Sequence, residues 1–303
     1  MGDMDMAKNK KRINEVIGKA RHPAEIPMTV VAIVITVAVY GLLTYALVFG
    51  ASDVAVISKI MSFLGAKSRA IDFCIRVGGP AIFVVLLFLL GKLVMASVSY
   101  VGEVSTENPR LDDTKYDEVK KIYSDFISEL EIAKAPVVYV GDHKDPSYLG
   151  VTICSEKVIC LSQRTITNAY KSEDFSEVRD ELVRKLARIY LGHYFIPMVV
   201  FSYVARLLPI FHSICERILC YSVDGFSKEV LGKEEVISKL FYDNYDGDNY
   251  SDEDDINEIV NKTIKNVNSY EKNGRAYNNF FSNEPPVIYR LDALVNDKPG
   301  KVL

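Results

Sequence analysis

The chain has 303 residues, of which 49% are hydrophobic, and its mean hydropathy of +0.08 is high for a wholly water-soluble protein. Its net charge of −4 is small, and its lysines and arginines form no long basic stripe of the kind that nucleic-acid phosphates require, so nucleic acid is excluded as the expected partner. Its five cysteines have no C-x-x-C pair and no disulfide-framework spacing, which favours reduced thiols in a cytosolic domain.

Two apolar stretches predict that the lipid bilayer is a partner of this chain. Residues 28–50 contain no charge and are long enough to cross the hydrocarbon core as a helix. After a connecting loop at 51–76, residues 77–101 form a second span that is interrupted by Lys92. The tail at 1–27 carries six lysines and arginines against four in the loop, which favours a cytosolic N-terminus and a cytosolic C-terminal domain.

The remaining residues, 102–303, have the pattern of a mostly helical α+β domain. It opens with an amphipathic helix at 116–130. Three β-type runs follow at 136–140, 151–154 and 158–161, and the short turn between the last two predicts a β-hairpin. We therefore expect an α+β membrane protein with an N-terminal transmembrane helical hairpin and a domain that contains a small β-hairpin or sheet.

The second half of this domain is expected to be helical with two exceptions. Helices are predicted at 176–191, with Ser176 as a possible N-cap, and at 216–232, 234–240 and 256–270. The apolar stretch at 195–216 contains prolines and an arginine, so it is either buried core or a membrane-associated segment. The acidic stretch at 243–255 is expected to be a solvated loop.

Three segments carry the motifs on which a functional hypothesis rests. They are FSEVRDELVRKLARI at 175–189, RILCYSVDGFSKEVLG at 217–232 and FFSNEPPVIYRLDAL at 280–294. These segments follow two apolar spans, a helix and a hairpin. With its elements in this order, the chain over 28–303 resembles the HtpX-like and CAAX-prenyl-protease family of membrane zinc metallopeptidases, which are gluzincins. That family places His-Glu-x-x-His on one helix and Glu-x-x-x-Asp on a second, and ends with a Pro-Pro-x-x-x-Arg signature.

The resemblance implies which positions correspond to the family's site. Arg184, Lys185 and Arg188 stand where the family has the first zinc ligand, the general base and the second ligand. Cys220 stands at the third ligand, and Asp224 is kept four residues later. The C-terminal signature keeps Pro285, Pro286 and Arg290.

These departures predict that the family's zinc chemistry is lost. Arginine does not give up its proton in a protein and lysine rarely does, so the three cations would repel Zn²⁺. Without the metal, no bound water has its pKa lowered and no carboxylate is placed to deprotonate it. We therefore expect no cofactor and a pseudopeptidase, that is, a catalytically inactive homologue. Asp224, freed from a metal site, is expected to pair with Arg184 or Arg188.

A second interpretation of the 175–189 segment requires no family. In an ordinary amphipathic helix, apolar residues form a buried stripe, and Asp180 with Arg184 and Glu181 with Lys185 are ion pairs on a wet face. The stripe consists of Val178, Leu182, Leu186 and Ile189.

Three functional hypotheses follow. The first is a pseudopeptidase that acts as a binding, regulatory or scaffolding membrane protein, whose hairpin edge at 151–161 either still accepts a peptide or protein by β-augmentation or is merely structural. The second is an active metalloendopeptidase with an unorthodox site, for which the available ligand types are His193, His212, Cys215 and Cys220. The third is a structural subunit of a membrane complex. The resemblance implies a bacterial inner membrane.

Overall fold

The protein is described from a computed structural model over residues 12–49, 102–141, 157–193, 208–244 and 284–300, with a few further positions between 84 and 95 and between 256 and 265. The helices are α1 (Arg12–Ala20), α2 (Glu25–Phe49), α3 (Asp117–Glu129), α4 (Gln163–Ser172), α5 (Ser176–Tyr190), α6 (Pro209–Leu231), α7 (Lys233–Tyr242) and α8 (Val287–Val295). The strands are β1 (Val137–Gly141) and β2 (Val158–Ser162). The expectation of a mostly helical chain with a small sheet is confirmed.

The two strands pair in parallel, with Val137 opposite Val158 and Gly141 opposite Ser162. The predicted runs at 136–140 and 158–161 are therefore strands, and they are neighbours in the sheet. Parallel neighbours need a crossover connection rather than a tight turn. The first strand of the predicted hairpin, 151–154, lies outside the described residues, as does most of the connection between β1 and β2.

Helix α5 lies at the centre of the main core. Its stripe Val178, Leu182, Leu186 and Ile189 is buried as predicted, and the helix packs against α6, α4 and β2. The expectation that Ser176 is the N-cap is wrong, because Ser176 is already helical and its N–H donates to Asp174 Oδ1 at 2.9 Å. The helix ends at Tyr190, and Gly192, two residues later, has a φ of +80°, a backbone conformation that favours glycine.

Helix α6 begins two turns earlier than predicted, at Pro209 rather than near residue 216. A proline at the first helical position costs no hydrogen bond, because that N–H has no partner within the helix. The end of the apolar stretch at 195–216 is therefore the start of α6, and residues 194–207 lie outside the described part. At Gly225 a Cβ would lie only 2.6 Å from the carbonyl oxygen of Ala20, so α6 and α1 approach closely there.

The segment interpreted as a basic tail contains a folded helix. Ile13, Val16 and Ala20 of α1 are buried in the main core. These residues recur at helical spacing, so α1 has an apolar face that its lysines and arginines obscure in the composition.

Helix α2 covers the first predicted span and exposes Ile26, Val30, Val34 and Val37 along one side. Of the helices in the described part of the chain, none is by itself both long and apolar enough to cross a membrane. For α2 this statement covers Glu25–Gly41. Helix α1 and this part of α2 reach that length and apolarity only together, and they are bent by 78°. Nearly all of the second predicted span lies outside the described residues.

Besides α1, two helices were not predicted. Helix α4 is mostly polar and buries only Ile166 and Ala169, although Ser162 caps it by accepting from the N–H of Thr165. Helix α8 follows Pro286 and packs with α7 in a second apolar cluster. The apolar face of α4 is short, and the cap residue Ser162 is a local signal for its start.

Candidate functional site: a buried ion network

The three segments that carry the family resemblance meet at the carboxylate of Asp224. Arg290 donates from Nε and Nη2 to the two oxygens of Asp224, both at 2.7 Å, in a bidentate pair. Arg184 donates from Nη1 to Asp224 Oδ1 at 3.0 Å, and from Nε to Asp180 at 2.8 Å. The resulting network of Asp180, Arg184, Asp224 and Arg290 is called the ion network below.

The two arginines of the ion network are placed by different packing interactions. Arg184 projects from α5 toward α6, the helix that carries Asp224 and packs most extensively against α5. Arg290 lies in the first turn of α8, which begins where Pro286 fixes the backbone and accepts from the N–H of Arg290. The Pro-Pro-x-x-x-Arg signature therefore starts a helix and places its arginine on Asp224.

The ion network is buried and electrically balanced. The side chain of Asp224 is 2% exposed, and two carboxylates face two guanidinium groups. Burial alone would raise the pKa of Asp224, but Arg290 and Arg184 outweigh it and the pKa of this carboxyl is lowered. Burial likewise opposes the charge of Arg184, yet Asp224 and Asp180 hold its pKa above the ordinary value.

The predicted pairing of Asp224 with Arg184 is confirmed. The sequence did not reveal that Arg290 is the closer partner, nor that Asp180 belongs to the network. Arg188 lies one turn beyond Arg184, and its charge lowers the pKa of both Cys220 and His193, although burial outweighs it at Cys220.

The interpretation of α5 as an ordinary amphipathic helix is correct about the two ion pairs and wrong about their exposure to solvent. Both predicted pairs form, Asp180 with Arg184 at 2.8 Å and Glu181 with Lys185 at 2.5 Å. Asp180 is buried, however, and Arg184 reaches across to α6 instead of into solvent. The charged face of α5 is therefore an interior contact.

Lys185 and Glu181 bind the edge of β2 that faces away from β1. In a parallel pair with Tyr139 opposite Cys160, the N–H and C=O groups of Cys160 point away from β1. Lys185 Nζ donates to the carbonyl of Cys160, and the N–H of Ser162 donates to Glu181 Oε1 at 3.1 Å. One residue of an added parallel strand would use these same two backbone groups.

The residues at the resemblance positions do not fit a zinc ion. Arg184, Lys185 and Arg188 have no lone pair to offer in their charged state. Burial raises the pKa of the Cys220 thiol to about 12, which disfavours the thiolate that binds metals. Across the described ranges, no group of three or more His, Cys, Asp and Glu side chains is placed to hold a metal, and this includes the alternative set of His193, His212, Cys215 and Cys220.

A second buried polar cluster lies where α2 begins. Glu25 is buried, is 3.1 Å from Arg21 Nε, and accepts a hydrogen bond from the hydroxyl of Ser222 on α6. His193 Nε2 lies 3.6 Å from Glu25 Oε1, which is beyond hydrogen-bond distance. The N–H of His22 donates to Ser222 at 2.9 Å, so the cluster fixes the bend between α1 and α2 against α6.

The protein should lose stability on mild acidification because of this cluster. Burial lowers the pKa of both His193 and His22 below 6.5, and at His193 the charge of Arg188 adds to this while Glu25 and Glu216 oppose it. A histidine with a depressed pKa favours the neutral form in the folded state, so its contribution is complete above about pH 6.5 and is lost as the pH falls through the folded-state pKa. Thermal unfolding measured between about pH 7.5 and 5 should show this fall.

The matched variant is His193→Gln, which stays neutral and should make the pH dependence shallower. His212→Gln is the control, because that side chain is 31% exposed and lies outside the cluster. A pH dependence that His193→Gln leaves unchanged would show that this histidine does not contribute.

Comparison with known proteins adds no relative: no family model matches the chain, no curated protein matches it, and no solved structure matches it.

Proposed function

We propose that this chain is a catalytically inactive relative of the HtpX-like membrane zinc metallopeptidases, and that it acts as a binding, regulatory or scaffolding protein of a bacterial inner membrane. In this proposal the N-terminal apolar spans anchor it, and the N-terminus and the C-terminal domain face the cytosol. The observation that carries the proposal is the convergence of the three resemblance segments on Asp224.

The ion network supports the loss of catalysis in a specific way. In the family as the resemblance implies it, this region would hold a divalent cation among imidazoles and carboxylates. Here two guanidinium groups already neutralise Asp224 and Asp180. A divalent ion brought to the same carboxylates would meet two fixed positive charges, each costing several kcal/mol at an effective dielectric of about 20.

The edge of β2 beside Cys160 is already occupied by side chains, which argues against binding of an extended peptide there. A peptide strand that added beside Cys160 would have to displace Lys185 from the carbonyl of Cys160 and Glu181 from the N–H of Ser162. Lys185 and Glu181, which also pair with each other, would then lose their hydrogen bonds to the backbone of β2. Binding through another surface, as in a scaffold, avoids this cost.

Zinc quantification on the purified full-length protein tests the proposal. After expression with added zinc, the protein should carry far less than one zinc ion per chain, and chelation should leave its thermal unfolding midpoint unchanged. About one zinc per chain, lost together with peptidase activity on chelation, would instead establish an active enzyme.

Native-membrane purification tests the role. Alkaline carbonate extraction should leave the full-length protein in the membrane pellet if the apolar spans anchor it. A partner that co-purifies at fixed stoichiometry favours the assembly role over transient regulation, and recovery in the soluble fraction contradicts the anchoring.

A further inference from the structure

A cavity of about 140 Å³ lies between the start of α2 and the N-terminal half of α6, and the residues that follow α5 close one end of it. It is separate from the ion network and touches none of the four network residues. Apolar cavities of about 150 Å³ in proteins take up molecules of the size of benzene, so this volume holds a short apolar group.

The cavity has a polar end and apolar walls. Arg21, Glu25 and His193 form the polar end, and the walls include Ile33 of α2 and Ile218 of α6. A matching ligand therefore has an aliphatic body and one polar group at its end.

Two atoms at the polar end are buried without a hydrogen bond. His193 Nε2 has no hydrogen-bond partner, although its side chain is only 4% exposed. Arg21 Nε lies 3.1 Å from Glu25 Oε1 but is not aligned to donate to it. Both atoms lie within 3.6 Å of the same oxygen of Glu25, so they lie at the same end of the cavity. Buried polar atoms of this kind are uncommon and costly.

The charges at the polar end select an uncharged group. The guanidinium of Arg21 is already paired with the carboxylate of Glu25. Burial favours the neutral form of His193. A charged headgroup would find no free counter-charge here and would lose its hydration. A hydroxyl accepts from Arg21 Nε and donates to the neutral His193 Nε2, which satisfies both atoms at once.

The cavity opens beside the exposed side of α2. Ile26 and Val30 line it and are nevertheless 57% and 52% exposed. If α2 anchors the chain, as the proposed function holds, this opening lies near the membrane surface and is reached by lipids.

We propose that this cavity binds the hydroxyl end of an uncharged aliphatic lipid. Arg21 and His193 bind the hydroxyl, and the α2 and α6 side chains contact the first carbons of the chain. Two classes of lipid have such a hydroxyl end: a fatty alcohol, and a neutral glycerolipid with a free hydroxyl such as diacylglycerol.

Photo-crosslinking on the full-length protein in phosphatidylcholine vesicles tests this proposal. The probes are a diazirine-bearing fatty alcohol, a diazirine-bearing diacylglycerol, and matched probes in which a hydrocarbon end or a carboxylate replaces the hydroxyl. Mass spectrometry should place crosslinks of at least one hydroxyl probe on residues of α2 and α6, with labelling about tenfold above both matched probes. Labelling by only one of the two hydroxyl probes identifies the source.

Two variants and one control sharpen the test. Ala32→Leu fills the cavity, because Ala32 lines it and is buried, and should abolish the labelling. Ala38→Leu makes the same change at an exposed position of α2 outside the cavity and should leave it intact. His193→Phe keeps an aromatic ring without a polar atom and should reduce the preference for the hydroxyl probe over the hydrocarbon probe, because only Arg21 is then left to bind the hydroxyl.

The proposal is overturned if all the probes label equally in the wild-type protein, or if Ala32→Leu labels as strongly as Ala38→Leu. Neither outcome depends on zinc content. Such a failure in a protein that remains in the carbonate pellet rejects the lipid site and leaves the proposed function standing.

Discussion

Replacing Asp224 with asparagine should lower the free energy of unfolding by about 3–5 kcal/mol, because it removes the buried carboxylate that the partly buried Arg184 and Arg290 share. Asparagine keeps the size of the side chain, so the loss reports charge and hydrogen bonding instead of a cavity. Denaturant unfolding of the full-length protein, monitored by circular dichroism, measures it.

Asp297→Asn is the control for this prediction. Asp297 also pairs with two cations, Lys228 and Lys233, but its side chain is 57% exposed, and its loss should cost less than about 1 kcal/mol. Equal effects of the two substitutions would show that the ion network contributes no more than a surface pair.

A double-mutant cycle separates the partners within the network. The combined cost of Arg184→Met and Asp224→Asn should be smaller than the sum of the two single costs, because each substitution removes the same contact. Purely additive effects of the two substitutions would mean that Arg184 and Asp224 do not interact energetically, despite the 3.0 Å contact.

If the proposed function is correct, placing the ligand types of the HtpX-like family at the corresponding positions should create a zinc site. The quadruple variant Arg184→His, Lys185→Glu, Arg188→His and Cys220→Glu should bind about one zinc per chain where the wild-type protein binds far less. The contact between Arg184 and Asp224 shows that position 184 of α5 faces α6 near residue 224. Positions 184 and 188 are one turn apart on α5, as positions 220 and 224 are on α6, so the new ligands should converge.

The triple variant that retains Cys220 is the matched comparison. Its zinc affinity should depend more steeply on pH than that of the quadruple variant, because the Cys220 thiol must lose a proton to bind zinc and burial raises its pKa, whereas a glutamate is already ionised. Elemental analysis after dialysis measures the bound metal, and circular dichroism shows that each variant is folded. A folded quadruple variant that binds no zinc would contradict the assignment of these positions to the family's site.

The local periodicity in the sequence predicts the elements that bury one regular face. Helices α5 and α3 each have apolar residues at helical spacing that pack against the core. Strands β1 and β2 are instead short continuous apolar runs whose consecutive residues are buried, which is the pattern of a strand covered on both faces. The apolar stripe of α4 consists of only two buried side chains, Ile166 and Ala169, and the charges of α1 obscure its apolar face, so both helices were missed.

The sequence alone also determined that positions 184, 185 and 188 disfavour zinc, since charged arginine and lysine side chains have no lone pair to offer a metal. Only the tertiary structure decided which charges meet. Arg290 is 66 residues from Asp224 along the chain, and Lys185 is 25 residues from Cys160. Contacts at such separations depend on how helices pack and strands pair, and a single sequence carries no local pattern that specifies them. The parallel pairing of β1 with β2 was unforeseen for the same reason.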